Sequence, residues 1–329
     1  MSKTISAIIS FVKNWTLPIS MITGALAYFA WRAIPCHEAY SGMVNTAIAW
    51  IQPVLIFCML LVSFCKVKIK EFALRRWHLW LCVFQLGMFV ALAAVACLNI
   101  NYNVKVVIEC AMLCFICPTA TAAAVVTARL GGNQATLVSY TIIINLVTAL
   151  AVPVVLPHVH PVGGMTFWPA LVAILVKVFP LLICPLFLAS IIRQFMPRLY
   201  DLIMRPKDLA FYLWAVSLAL AIAVSAKSLM HSTVSLWCQA GMAIVSLVAC
   251  LAQFAFGKSM GTREGERISG GQACGQKNTV FAIWLGYTFL DPVTALAGGY
   301  YSIWHNAINS YQLYKHRKHT AAPHADTKI

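Results

Sequence analysis

Acidic side chains are scarce: nine Asp and Glu stand against 24 Lys and Arg in 329 residues, and charged residues of both signs make up only 10% of the chain. So little charge, beside 61% hydrophobic residues, excludes an ordinary soluble domain and places the chain among polytopic membrane proteins. Glu109 is the one acid well inside an apolar window, and Lys105, four residues earlier, reads as its helical ion-pair partner. With almost no carboxylates in the windows and no Ser/His/Asp pattern, a convergent acid, base and nucleophile set is missing, so an enzyme is not expected. No Ala-x-Ala cleavage site follows the first apolar run, which reads as a retained span. Before it, Lys3 to Lys13 carries Ile5, Ile8, Ile9 and Phe11 at roughly helical spacing, as a short interfacial amphipathic helix does.

Cysteine is not scarce, but most of the 12 cysteines lie inside apolar windows (Cys58, Cys82, Cys97, Cys114, Cys184, Cys250), where the thiol behaves as a small hydrophobe. Cys114-Phe-Ile-Cys117 has CxxC spacing without a second Cys/His pair, and His158-Val-His160 reads as a solvated loop, so neither a metal nor a cofactor is expected. A net charge of +15 would suit nucleic acid. The basic residues, however, fall in short runs between apolar windows, the pattern of loops facing anionic lipid, and a nucleic-acid partner is not expected.

Apolar windows near 15–33, 43–65, 77–99, 103–130, 133–157, 167–192, 208–228, 233–257, 268–289 and 292–314 predict an all-α polytopic membrane protein of ten transmembrane helices. Their connections alternate in charge. Lys66 to Arg76, Arg129, Arg193 to Lys207, Lys258 to Arg267 and the two ends gather nineteen of the 24 basic residues on one side. Only Arg32, Lys105 and Lys227 fall on the other, which puts both termini in the cytoplasm. Both ends inside requires an even number of spans and disfavours a seven-span receptor. The uncharged outer loop from His158 to Gly164 leaves five windows on each side, and an odd number per half gives two repeats of opposite orientation, about 15–157 and 167–314.

The fourth and ninth windows are irregular. In the fourth, Cys117-Pro118-Thr-Ala-Thr121 interrupts the middle, where Pro118 lacks a backbone donor. In the ninth, Gly271 to Thr279 does the same with glycine and polar residues. From Ile268 to Phe289 the window is about 33 Å long as a helix, which puts Lys277 roughly 14 Å in. A cation there costs on the order of 2.5–3.5 kcal/mol on the mildest insertion scale. Irregular backbone at that depth is tolerated where it lines a cavity, and interrupted spans at matching positions of two halves point to a substrate site. Half-helix N-termini near Thr121 and Asn278, with Lys277 beside them, favour an organic carboxylate over a cation or a neutral sugar. The bland alternative for Lys277 is snorkelling toward the headgroups. Lys177, before Val178-Phe179-Pro180, reads equally as a packing or backbone-capping residue. Tyr28, Trp31 and Trp304 read as interfacial or packing aromatics.

Several stretches are similar to the bile acid:sodium symporter family: Gly275-Gln-Lys-Asn278-Thr279 to its ninth span, Tyr301-Ser-Ile-Trp304-His305-Asn306 to its tenth, and Cys117-Pro118-x-x-Thr121-Ala122 with Gly132-Asn133 and Ala135 to its fourth span and the turn beyond. Gln85, in Phe84-Gln85-Leu86, matches a third-span glutamine that helps bind sodium in that family. The resemblance covers nearly the whole chain. It implies a panel of spans 1, 2, 6 and 7 and a core of spans 3–5 and 8–10, with spans 4 and 9 broken and crossing in the core. Substrate contacts are expected at the breaks and along the tenth span, at Thr121, Asn278, Thr279, His305 and Asn306, with His305 equally readable as packing.

The departures from the family pattern are concentrated on its sodium ligands. Its ninth-span glutamate is Ala273 here and its glutamine ligand is Lys277. Its Ser-Asn pair is Ala123-Ala124, and a fifth-span hydroxyl is Leu137, while Thr141 remains. Sodium coupling is therefore not expected; the Lys277 ammonium, with Gln85 and Thr141, takes the ion's place, and a proton is the other candidate coupling ion. The resulting expectation is a secondary transporter of a small or amphipathic organic anion (bile acid, pantoate or keto-acid class) in a bacterial cytoplasmic membrane, working by alternating access as a monomer or weak oligomer. The alternatives are a metalloid efflux carrier of related fold, with Cys117 and Cys274 as thiol ligands, and an anion receptor without net flux.

Overall fold

The computed structural model describes residues 19–66, 73–160, 166–206, 209–231 and 234–321. The amphipathic stretch from Lys3 to Lys13, the basic residues Lys68, Lys70, Lys207 and Lys328, and the loop segment 161–165 lie outside the described residues. Helix α1 covers 19–33. It is followed by α2 (His37–Cys65), α3 (Arg76–Ala96), α4 (Tyr102–Ile116), α5 (Ala123–Arg129), α6 (Gln134–Val159) and α7 (Phe167–Phe195). Then come α8 (Pro197–Met204), α9 (Leu209–Met230), α10 (Leu236–Thr262), α11 (Arg267–Gly275), α12 (Thr279–Phe289), a short 3-10 turn (Pro292–Ala295) and α13 (Leu296–Ala321). No strand occurs among the described residues, and α2, α3, α6, α7, α10 and residues Tyr212–Met230 of α9 are long and apolar enough to cross a membrane. The protein is a membrane-embedded all-α protein.

The chain forms two compact units, Met1–Cys65 with Pro185–Thr233, and Lys66–Cys184 with Val234–Ile329. In the first, α2 packs on α9 and Lys227 Nζ donates to Asn45 Oδ1 at 2.5 Å. Gly24 is required by α9: a Cβ there would meet the Ala219 carbonyl oxygen at 2.1 Å.

The second unit holds α3 to α6 and α10 to α13, with α10 packed on α3, α4, α11 and α13. One end is tied by the two glutamates of the turn after α10. Glu266 accepts from Arg75 Nε at 3.1 Å, Trp77 Nε1 at 3.1 Å and Asn133 Nδ2 at 3.3 Å, while Glu264 accepts from the Trp77 backbone N–H at 3.2 Å. Ser269 donates to the Asn133 carbonyl and accepts from the Asn133 N–H. The starts of α3 and α6 are thereby pinned to the start of α11. The half-exposed Arg75 contributes little to this knot; the buried Trp77 carries most of it. Glu266→Ala is expected to cost about 1–3 kcal/mol by stripping three donors of one acceptor. Glu266→Gln should cost less, and melting of the purified proteins orders the two.

Two expectations change near α4 and α6. Lys105 does not pair with Glu109: its Nζ donates to the Val159 carbonyl at 3.0 Å, and the Glu109 carboxylate lies 3.7 Å from His160 Nδ1. Lysine before glutamate is the weaker order for a helical pair, and the last carbonyls of α6 offer the ammonium a better acceptor. His158 is not in a loop but in the last turn of α6, its ring 4.7 Å from that of Phe167.

Candidate functional site

Helix α4 stops at Ile116 because Pro118 has no N–H with which to continue it, and the chain resumes as α5 only at Ala123. Helix α11 stops at Gly275, residues 276–278 are non-helical, and α12 begins at Thr279, capped by the Asn278 side chain accepting from Phe281 N–H at 3.2 Å. The second break is shorter than the sequence suggested. Gly271 to Gly275 are helical, because the glycines serve packing: a Cβ on Gly271 would strike the Lys258 stem and one on Gly275 the Phe254 ring.

The two breaks lie against each other as a minimal antiparallel pair. Thr119 stands opposite Lys277, Ala120 N–H donates to the Gln276 carbonyl at 2.8 Å, and Asn278 N–H donates to the Pro118 carbonyl at 2.8 Å. Thr119 Oγ1 adds a bond of 2.7 Å to the Ala273 carbonyl. Backbone groups that a broken helix would leave unpaired in an apolar interior are thus paired across the crossing.

The end of α4 is completed by side chains. Its final carbonyls have lost their helical donors, and three distant residues replace them: Gln253 Nε2 on Cys114 O at 3.0 Å, Lys277 Nζ on Phe115 O at 3.3 Å and Thr148 Oγ1 on Ile116 O at 2.9 Å. Lys277 is therefore a cationic C-cap, and the negative end of the α4 dipole meets its charge. The positive field expected at the breaks is, to that extent, already compensated.

Lys277 does not snorkel. It is 1% exposed, and its Nζ also lies 2.5 Å from Gln85 Oε1. Gln85 in turn donates to Tyr140 Oη at 2.6 Å and to Cys274 Sγ at 3.5 Å, so the amide is held with its oxygen toward the ammonium. The remaining electrostatic neighbours are the thiols of Cys82, Cys114, Cys117 and Cys274, and no described carboxylate stands within ion-pair distance.

The positions at which the resemblance led sodium ligands to be expected (Gln85, Lys277 and Thr141 apart) come together as hydrocarbon. Ala123, Leu137 and Ala273 are buried in one apolar cluster with Trp77, Leu81, Tyr140 and Cys274, and Ala124 packs on it. Thr141 Oγ1 is spent on the Leu137 carbonyl of its own helix.

The expected substrate contacts are dispersed. Thr121 lies half-buried in the first break, and Thr279 is buried at the start of α12. Asn278 uses its oxygen as a cap, while its Nδ2 is buried without a partner. In α13, His305 sets its ring edge-on to Tyr301 at 5.6 Å, and Asn306 Nδ2 bonds the Ser302 carbonyl at 2.6 Å. Tyr301, not His305, reaches the break, donating to Gly275 O at 2.9 Å and accepting from Gln253 Nε2 at 3.0 Å. Trp304 packs by bonding Ala243 O and Ser246 Oγ, and Lys177 Nζ sits 5.6 Å over the Phe289 ring.

A second polar group surrounds His305, with partners not named from the sequence. Gln272 Nε2 donates to Asn309 Oδ1 at 3.0 Å, and the side chains of Ser302, His305 and Asn309 each bury a polar atom with no partner. The signal was available: Ser302, His305, Asn309 and Gln312 are spaced three, four and three residues apart, which is one helical face. No protein-family model matches the chain, and no curated protein matches it.

Proposed function

We propose that the chain is a sodium-independent secondary transporter of a small or amphipathic organic anion, with Lys277 as a built-in cation at the crossing of its two broken spans. The observation that carries this reading is the seat of Lys277 Nζ between Gln85 Oε1 and the Phe115 carbonyl, beside a cluster in which the side chains of Ala123, Leu137 and Ala273 are hydrocarbon and offer sodium no oxygen of their own. Ten spans, two inverted repeats and cytoplasmic termini in a bacterial inner membrane belong to the same proposal. The interruptions after Ile116 and Gly275, and the separation of the chain into two compact units, support it. The protein works by alternating access and not as an enzyme. The bile acid, pantoate and keto-acid classes are the substrates to try. The thiols near Lys277 favour one second reading, a metalloid carrier; loss of metalloid resistance in Cys117→Ser or Cys274→Ser would select it.

Counterflow in proteoliposomes tests the proposal. A labelled anion from one of these classes should exchange against its unlabelled form at the same rate when choline replaces sodium. Steep sodium dependence would sink the reading, and saturable binding with no counterflow would identify a receptor. Ala273→Glu with Lys277→Gln restores a carboxylate and an amide at the crossing. Only this double variant should acquire a sodium effect, weakened by Ala124.

A further inference from the structure

We infer that the groove between α10 and α13, at the end where α10 turns into α11, binds an anionic phospholipid. A cavity of about 950 Å³ lies there. Its α10 wall runs from Leu251 through Phe254 and Ala255 to Lys258 and Thr262, a rise of about 16 Å along one helical face. The wall is apolar at its start and basic at its end, where Arg263 and Arg267 close it; from α13, Ile308 and Tyr311 face it. Three cations therefore stand at the rim of a slot whose depth is hydrocarbon and aromatic.

Nothing among the described residues neutralises them. The acids of the same turn, Glu264 and Glu266, are committed to Trp77, Arg75 and Asn133, and no described carboxylate pairs with Lys258, Arg263 or Arg267. The charged groups that bear on Lys258 are Arg267 and Lys315, both positive. The Lys258 stem is also fixed in place, lying over Gly271 with its Nζ 5.8 Å from the Phe254 ring. Lys258, with Arg267 and Lys315 as its charged neighbours and Arg263 lining the same groove, forms a cationic rim that complements an anion. The apolar wall beneath them fits an acyl chain rather than a free phosphate. Basic pockets between membrane helices recognise anionic headgroups in this way. The groove adjoins the crossing through Phe254, whose ring lies against Gly275, but Lys277 does not line it, and the inference does not depend on which solute is carried.

The test uses purified, delipidated full-length protein in detergent, with thermal stabilisation and native mass spectrometry as readouts. Dioleoylphosphatidylglycerol should stabilise the protein and remain bound, whereas dioleoylphosphatidylcholine and sn-glycerol 3-phosphate should not. Arg263→Gln with Arg267→Gln should weaken lipid retention roughly fivefold for each cation lost. Arg198→Gln with Arg205→Gln, which removes equal charge elsewhere, should leave retention unchanged. Tyr311→Ser should weaken retention with the cations intact. Equal stabilisation by glycerol phosphate would make this a free-anion site and overturn the inference. Equal retention of phosphatidylcholine, or equal loss in the two arginine pairs, would overturn it as well.

Discussion

Lys277→Met is expected to abolish ligand-induced stabilisation by organic anions and to lower the melting temperature by several degrees. The substitution keeps the volume and removes two bonds from a charged donor, each worth about 1.5–3 kcal/mol. It leaves Gln85 Oε1 and the Phe115 carbonyl buried without that donor. Against this stands a gain, since methionine has no ammonium to desolvate. The loss wins because both acceptors stay buried, with Gln85 fixed by Tyr140 and Phe115 O by the end of α4. Lys277→Gln should be milder, because an amide N–H can still cap α4. The readout is thermal melting of parent, Lys277→Met, Lys277→Gln and the Ala273→Glu/Lys277→Gln double variant, with and without anion and sodium. If Lys277→Met matches the parent in stability and in binding, the lysine is a bystander and the proposed role for it is wrong.

The breaks were legible because proline and polar residues in an apolar window have few structural excuses. Pro118 places the end of α4 to within two residues. The second break is shorter than its glycines imply, for a physical reason. Gly270, Gly271 and Gly275 weaken a lone helix, yet here each fills a position where another helix comes too close for a side chain. The intrinsic penalty was legible in sequence and the tertiary gain was not, although Gly257 and Gly261 on α10 carried the small-residue spacing of close-packed membrane helices. The capping of α4 was beyond any spacing rule, since Gln253, Lys277 and Thr148 come from three separate segments and meet only in the fold. The same holds for Lys105, whose acceptor is 54 residues away rather than four.

The close approach of α10 and α11 yields the second large effect. In an exposed helix interior, Gly→Ala stabilises by up to about 1 kcal/mol. Gly270→Ala should do the opposite. Its Cβ would lie 2.4 Å from the Gly257 carbonyl oxygen and 3.0 and 3.1 Å from Gly261 Cα and N. All three atoms are backbone, so no side chain can rotate away and α11 as a whole must shift. Overpacking a well-fitted interface costs typically about 1–3 kcal/mol, and a backbone clash belongs at or above the upper end. The shift would also reach the functional site. Five residues on, Gly275 lies against the Phe254 ring, and the next residue, Gln276, accepts the Ala120 N–H that holds the two breaks together. Gly270→Ala should therefore lower both the melting temperature and the affinity for the anion, and Gly257→Ala, whose Cβ would meet Gly270 O at 2.3 Å, should do the same. Gly87 on α3 is the control, exposed and with nothing within 4 Å of an added Cβ, so Gly87→Ala should leave the melting temperature unchanged or raise it. Melting curves that place Gly270→Ala with Gly87→Ala, above the parent, would mean that α10 and α11 do not approach this closely, and the crossing built on their packing would have to be redrawn.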